Sequence, residues 1–152
     1  MPSSRASLVL RTAVDPGGAH YASAFAASAI DLPSRTPEHW ARAAFEDAPP
    51  ALQWLLRAGW LGVLGLQLGP RSSAKHVLGW PVAESEPSAI VMEAHSPLLI
   101  ARNVVSVDDS GLIWSTYVRF ESRVGRAVWA AIAPVHHWII PLLLRWAIRR
   151  EL

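Results

Sequence analysis

From Ala127 to Leu144 the chain runs without a formal charge. Around that run, from Gly125 to Leu152, the sequence has the pattern of one long amphipathic helix. Val128, Ile132, Val135, Ile139, Leu142 and Trp146 follow one another at alternating steps of four and three, which stacks them on one helical face. Arg145, Arg149 and Arg150 fall in the last turns, where positive charge suits the negative end of the helix dipole. Pro134 and Pro141 lie inside the pattern. Each removes a backbone donor and crowds the carbonyl four residues earlier, so a bend or break is expected near each. A long apolar helix that follows a run of strands suggests a lid on a sheet.

The uncharged run is near the minimum length for crossing a bilayer. It contains His136, His137 and two prolines, and its apolar residues are strongest on one face. A buried lid is therefore expected, and a membrane span is not. Leu52 to Leu68 is also apolar, but Arg57 and a series of glycines ending at Gly69 break it. The N-terminus has too short an apolar run for a signal peptide, because Arg11 ends it. A cytoplasmic chain is the resulting expectation. At 152 residues and 51% hydrophobic composition, one domain can bury a sizeable core. The pI of about 9.7 reflects arginine-rich cations, all but Lys75, at a net charge of only +2. No basic run carries interleaved aromatics, which argues against nucleic acid as a partner. The absence of cysteine excludes disulfides and thiolate metal sites.

Residues 1–18 are polar and turn-rich and are expected either to be partly disordered or to supply an edge strand within Leu8 to Val14; the main domain is expected over 19–152. Tyr21 to Ile30 reads as a strand. Thr36-Pro37-Glu38-His39 opens a helix, with Thr36 as cap and Pro37 in the first turn; Trp40, Ala41, Ala44 and Phe45 form its inward face. A second helix after Pro49-Pro50 presents Leu52, Leu55, Leu56 and Trp60, and Gly62 to Gly69 is an apolar connector. Strands are then expected at His76 to Val82, Ala89 to His95, Leu98 to Val107 and Leu112 to Glu121. Asp108-Asp109-Ser110-Gly111 supplies a hairpin loop between the last two. In the last strand Leu112, Trp114, Thr116, Val118 and Phe120 share one face. Short loops between consecutive strands imply an antiparallel sheet. The fold class is therefore α+β: a curved antiparallel sheet around a long C-terminal helix, with two short helices after the first strand.

Three segments carry a family resemblance: Thr36 to Phe45 at a helix start after a strand; Ser115 to Phe120 running into Val124-Gly125-Arg126; and Trp129 followed by Ala133 to Leu143. Over roughly Tyr21 to Arg149 the chain resembles the START-like superfamily, also called Bet v 1-like, SRPBCC or polyketide-cyclase-like. Within it the nearest branch is DUF2867, a domain of unknown function. The resemblance implies a helix-grip fold with a cavity between sheet and C-terminal helix. Relatives use that cavity for lipids, sterols or aromatic polyketides, and some are cyclases. It supplies no catalytic set to carry across. Arg102 and Asn103 depart from the acidic and aromatic residues expected on that strand, leaving the character of the cavity floor open.

Adjacent helical residues diverge by about 100°, so His136 and His137 do not face one site, which argues against metal binding by the pair. His136 has two readings: a ligand contact or proton donor under the lid with Trp129, or a structural histidine satisfied at a carbonyl freed by Pro141. Glu93, His95, Arg102 and Asn103 have two as well: a polar cluster able to do acid–base chemistry, or a solvated outer face. Trp80 and Trp114 serve either as core or as lining for a flat apolar ligand. The glycines at 62, 65 and 69 match neither a phosphate loop nor a dinucleotide fingerprint. The candidate ligand-binding residues are Trp80, His95, Trp114, Thr116, Trp129 and His136, with no metal or cofactor. The leading expectation is binding of a small hydrophobic molecule, lipid or aromatic. The alternatives are a cyclase- or aromatase-like enzyme using the same cavity, and a protein- or membrane-interaction module built on Trp60 to Leu68. A homodimer is a further expectation.

Overall fold

The computed structural model describes residues 9–11, 19–28 and 32–151. The elements are β1 (Val9–Arg11), β2 (Tyr21–Ser28), α1 (Pro37–Phe45), α2 (Pro50–Arg57), a π-helical turn (Ala58–Val63), β3 (Ser72–Ser73), β4 (His76–Val77), β5 (Trp80–Ser85), β6 (Ala89–His95), β7 (Leu99–Asp108), β8 (Gly111–Phe120) and α3 (Arg123–Glu151). The strands form one curved antiparallel sheet in the order β1-β2-β8-β7-β6-β5-β4-β3. The expected edge strand exists as β1. The remainder of the expected N-terminal segment up to Gly18, and Ile30 at the end of the expected second strand, lie outside the described residues.

The β7–β8 hairpin sets the register of the sheet. Asp108 Oδ1 accepts from the backbone N–H of Ser110 at 2.8 Å and of Gly111 at 3.2 Å, and Gly111 takes a φ of 138°, which a side chain would resist. From there Val107 pairs with Leu112, Val105 with Trp114 and Asn103 with Thr116. Strand residues alternate between faces, so Ala101, Asn103 and Val105 turn inward with Leu112, Trp114, Thr116 and Val118, and all of these are buried.

Two helices share the inner face. Thr36 Oγ1 accepts from the His39 N–H at 3.1 Å and caps α1, a contact worth about 1 kcal/mol. Trp40, Ala41, Ala44 and Phe45 are buried beneath it, as expected. α3 was expected as a lid on the sheet, and it shares that role. α1 packs on β6 and β7, while α3 lies against α1 and β8. The alanines on α1 allow that close approach.

Three sequence expectations are corrected. α3 runs unbroken through Pro134 and Pro141. The carbonyls that the prolines release belong to Ala130 and His137, both exposed, where water can take the lost bond. The buried stripe of α3 is also rotated from the expected one. Gly125, Trp129, Ile140, Leu143, Leu144 and Ala147 are buried, whereas of the expected face Ile139 is buried, Val128, Ile132 and Leu142 are half-buried, and Val135 and Trp146 are exposed. Finally, His76 to Val82 is not one strand. Leu78 and Gly79 adopt left-handed φ values of 46° and 93°, which split it into β4 and β5. The strained Leu78 is held there by burial in the core and by its N–H, which donates to Glu46 Oε2 at 3.3 Å.

Candidate functional site

α1 sits close on the sheet and α3 stands off it, which leaves a cavity of about 340 Å³. Its floor is Ala101 and Asn103 on β7 and Thr116 on β8; Trp80 on β5 and Phe45 on α1 close one end. α3 forms a wall with Trp129, Ile132, Val135, His136, Ile139 and Ile140. The opposite wall comes from α2 and the π-turn: Trp54, Leu55, Leu56, Gly59, Trp60 and Val63 among others. The π-turn is marked by Leu64 N–H donating to the Gly59 carbonyl at 2.9 Å, five residues back. Such turns are often found at functional sites. Here it carries the chain along the cavity, and neither Gly59 nor Gly62 has an atom within 4 Å of where a Cβ would sit.

An aromatic chain rigidifies the closed end. Trp80 meets Trp60 edge-on with ring centroids 5.5 Å apart, Trp60 meets Phe45 at 5.0 Å, and Phe45 meets Trp114 at 4.9 Å. The indole nitrogens of Trp80 and Trp129 are buried without a partner among the described residues.

Three polar side chains reach this apolar space. Asn103 is pinned from behind: its Oδ1 accepts from Trp114 Nε1 at 3.2 Å and from Thr116 Oγ1 at 2.7 Å. An indole N–H can only donate, so it fixes which end of the amide is oxygen. The Asn103 NH2 group is left to face the cavity as a donor. The second is Thr116, whose hydroxyl donates to Asn103. The third is His136, whose Nε2 lies 3.5 Å from Ser23 Oγ on β2. Burial, aided by neighbouring His137, pushes its pKa down to about 3. His136 is thus a neutral imidazole at pH 7, with one donor and one acceptor.

Behind His136 the polar contacts continue. Tyr21 OH and His137 Nε2 share a hydrogen bond, and the Tyr21 ring lies 6.3 Å from His136 and 5.9 Å from His137, centroid to centroid. The two histidines diverge, as helical geometry requires, yet both reach Tyr21 because it stands between them. His136 is not satisfied by a carbonyl freed at Pro141; its polar neighbour is Ser23. Burial raises the Tyr21 pKa, partly offset by a hydrogen bond with Ser23. No cluster of potential metal ligands occurs among the described residues.

Of the residues expected at the site, the structure brings together Trp80, Thr116, Trp129 and His136. Trp114 stands one layer behind, against Phe45 and Asn103. His95 is outside. In β6, Met92 and Ala94 face inward, so Glu93 and His95 face out by the same alternation. Glu93 pairs with Arg102 across the strands, with Oε1 accepting from Arg102 Nη2 at 3.3 Å, and His95 Nε2 lies 3.5 Å from Glu93 Oε2. That group is a solvated outer face. Asn103 parts from Arg102 and turns inward, where it is the best-oriented polar group of the cavity. Its parity with Ala101 and Val105 was the available signal. α2, expected as a helix with an apolar face, and the π-turn, which overlaps the expected Gly62 to Gly69 connector and the Trp60 to Leu68 interaction segment, both line the cavity.

No curated protein and no solved structure matches the chain. The model of one family, described as "Protein of unknown function (DUF2867)", matches residues 16–143. The chain belongs to that family.

Proposed function

We propose that this member of the DUF2867 family binds a small, mostly apolar molecule carrying one hydrogen-bond acceptor, held between the sheet and α3. The reading rests on one observation: a buried donor, the Asn103 amide, is fixed by two hydrogen bonds and aimed into an aromatic-lined cavity. Apolar burial would supply the affinity and the amide the orientation. A cavity of about 340 Å³ lies at the small end of ligand pockets, so a compact ring system suits it better than a long acyl chain. We also propose kinship with the START-like superfamily, supported by the antiparallel sheet, the two short helices and the long C-terminal helix.

An enzyme of the cyclase or aromatase kind is a second reading, favoured by the Ser23, Tyr21 and His137 contacts around neutral His136. Against it, His136 is the only titratable side chain among the described cavity-lining residues. The test is native mass spectrometry of protein from its own host, with extraction of whatever is bound. A one-to-one apolar compound is expected, lost in Ala101→Phe, which fills the floor. Equal retention by Ala101→Phe would place the compound elsewhere and sink the proposal. If His136→Gln keeps the ligand but ends its conversion, the enzymatic reading prevails.

A further inference from the structure

The cavity mouth is apolar on both sides and open to solvent. Trp54 and Leu55 on α2, and Val63 on the π-turn, line the cavity and are 72%, 38% and 47% exposed. Across from them Val135 is 43% exposed. Trp138, three residues on and therefore on the same side of α3, is 58% exposed. α3 is the one helix among the described residues long and apolar enough to cross a membrane, yet only 28% of its most apolar window is buried. Its other side is committed to the core through Trp129, Ile140 and Leu143, so α3 cannot leave the sheet to span a bilayer without undoing the fold.

Charge indicates what covers this surface. The chain has 12 acidic residues, but none lies between Ala48 and Ala83 or between Ser122 and Arg150, the two stretches that build the mouth. At one end of the uncharged face of α3 stands Arg123, and at the other Arg145 and Arg149, all exposed; Arg126 turns away from it and lies over the Phe120 ring. An apolar strip rimmed by tryptophan, ended by arginines and built from two stretches without a carboxylate, with Asp47 beside Trp146 as the acidic residue at its C-terminal end, matches an anionic lipid surface. A nucleic acid would need the cations inside the strip, not beyond its ends.

We infer that the mouth of the cavity is a docking surface for an anionic bilayer, with α3 lying in the plane of the headgroups. Trp54 and Trp138 sit at the interface, Val63 and Val135 press just below it, and Arg123, Arg145 and Arg149 meet lipid phosphates. The docked mouth opens onto lipid, so an apolar molecule passes between bilayer and cavity without crossing water. The surface itself does not depend on what occupies the cavity.

The experiment is co-sedimentation of the full chain with vesicles of phosphatidylcholine alone and of phosphatidylcholine with phosphatidylglycerol. Binding to the anionic vesicles is expected, weakened by added salt. Arg145→Gln and Arg149→Gln should each weaken it about fivefold, and Trp54→Ala with Trp138→Ala about tenfold together. All four side chains are exposed, and unchanged thermal melting confirms that the variants fold. Ala101→Phe should bind vesicles like the parent, which separates this surface from the cavity proposal. Failure to bind either vesicle, or full binding by the double tryptophan variant, overturns the inference. So does a parent that forms a dimer, ignores vesicles and becomes monomeric when the tryptophans are removed.

Discussion

Gly125→Ala sets two physical effects against each other. Helix propensity favours the change, by at most the value of about 1 kcal/mol that alanine gains over glycine in a helix interior, because Gly125 stands in the first turn of α3 with its N–H donating to Ser122 Oγ at 3.0 Å. Packing opposes it. A Cβ at position 125 would lie 2.0 Å from the Leu98 carbonyl oxygen, 2.8 Å from its carbon and 3.3 Å from its Cα. These are backbone atoms, and the carbonyl is already held by the Glu121 N–H at 2.9 Å, so it cannot swing aside. Ordinary contact begins at 3.4 Å; the start of α3 must therefore lift from the β6–β7 turn. Overpacking of this kind costs about 3 kcal/mol or more, leaving a net loss of about 2 kcal/mol. For a domain of this size that lowers Tm by about 4–8 °C. The internal controls are Gly59→Ala and Gly62→Ala, where a Cβ meets nothing within 4 Å; each should raise Tm slightly. Thermal denaturation of the three variants under one set of conditions decides the matter. If Gly125→Ala is as stable as the parent, the close seating of α3 on Leu98, and with it the lid geometry drawn here, is wrong.

Asn103→Leu removes the acceptor of two buried donors, Trp114 Nε1 and Thr116 Oγ1, at about 1–3 kcal/mol for each donor left unpaired; a urea midpoint matching the parent would deny that these bonds hold the floor. His136 has a folded pKa of about 3 against an ordinary 6.5. The unfolded chain therefore binds a proton that the native state refuses, and stability falls as pH drops from about 6.5 toward 3, by up to about 1.4 kcal/mol per unit. Urea unfolding at stepped pH should show this slope, and His136→Gln should flatten it; an unchanged slope in the variant would assign the acid sensitivity to other groups. Arg42 joins α1 to the β3–β4 hairpin by donating to Glu38, Glu46, the Ser73 carbonyl at 2.7 Å and the His76 carbonyl at 3.1 Å. Arg42→Met should accelerate amide exchange across residues 72–77 more than elsewhere, and uniform protection would show the hairpin to be held by other contacts.

Local rules carried most of the sheet. Ala89–His95 was bounded by the turns on either side, and Asp108 to Gly111 fixed the hairpin from which β7 and β8 take their register. Where the rules failed, a tertiary contact had overridden them. Leu78 takes a left-handed φ because its side chain fills the core while its N–H meets Glu46, and no local pattern shows a partner 32 residues away. The π-turn arises where a helical pattern meets glycines that tolerate a wider coil. His95 was assigned to the site by its residue type, although alternation with Met92 and Ala94 already placed it outside. Asn103 was hidden for the opposite reason: a polar side chain beside Arg102 reads as surface until Trp114 and Thr116 are seen to claim its oxygen.

α3 shows why its inward face was hard to read. Between Arg126 and Arg145 it is apolar nearly all round, so two stripes, one through Val128 and Val135 and the other through Trp129 and Ile140, satisfy the same periodicity. Hydrophobicity cannot choose between them. Close approach does. Gly125 and Ala147 lie on the second stripe, and only side chains that small let the helix reach Leu98 at one end and bury completely at the other. Selecting that stripe turns His136 inward toward Ser23. It also leaves Val135 and Trp138 exposed, with Val135 across the cavity from Trp54. A lid that met only water would have exchanged these for charged residues at little cost to the core, as amphipathic surface helices do. Their presence on a face flanked by Arg123, Arg145 and Arg149 is accounted for if that face has an apolar, anionic counterpart. The same spare stripe that made the sequence ambiguous is then the part of α3 that meets lipid.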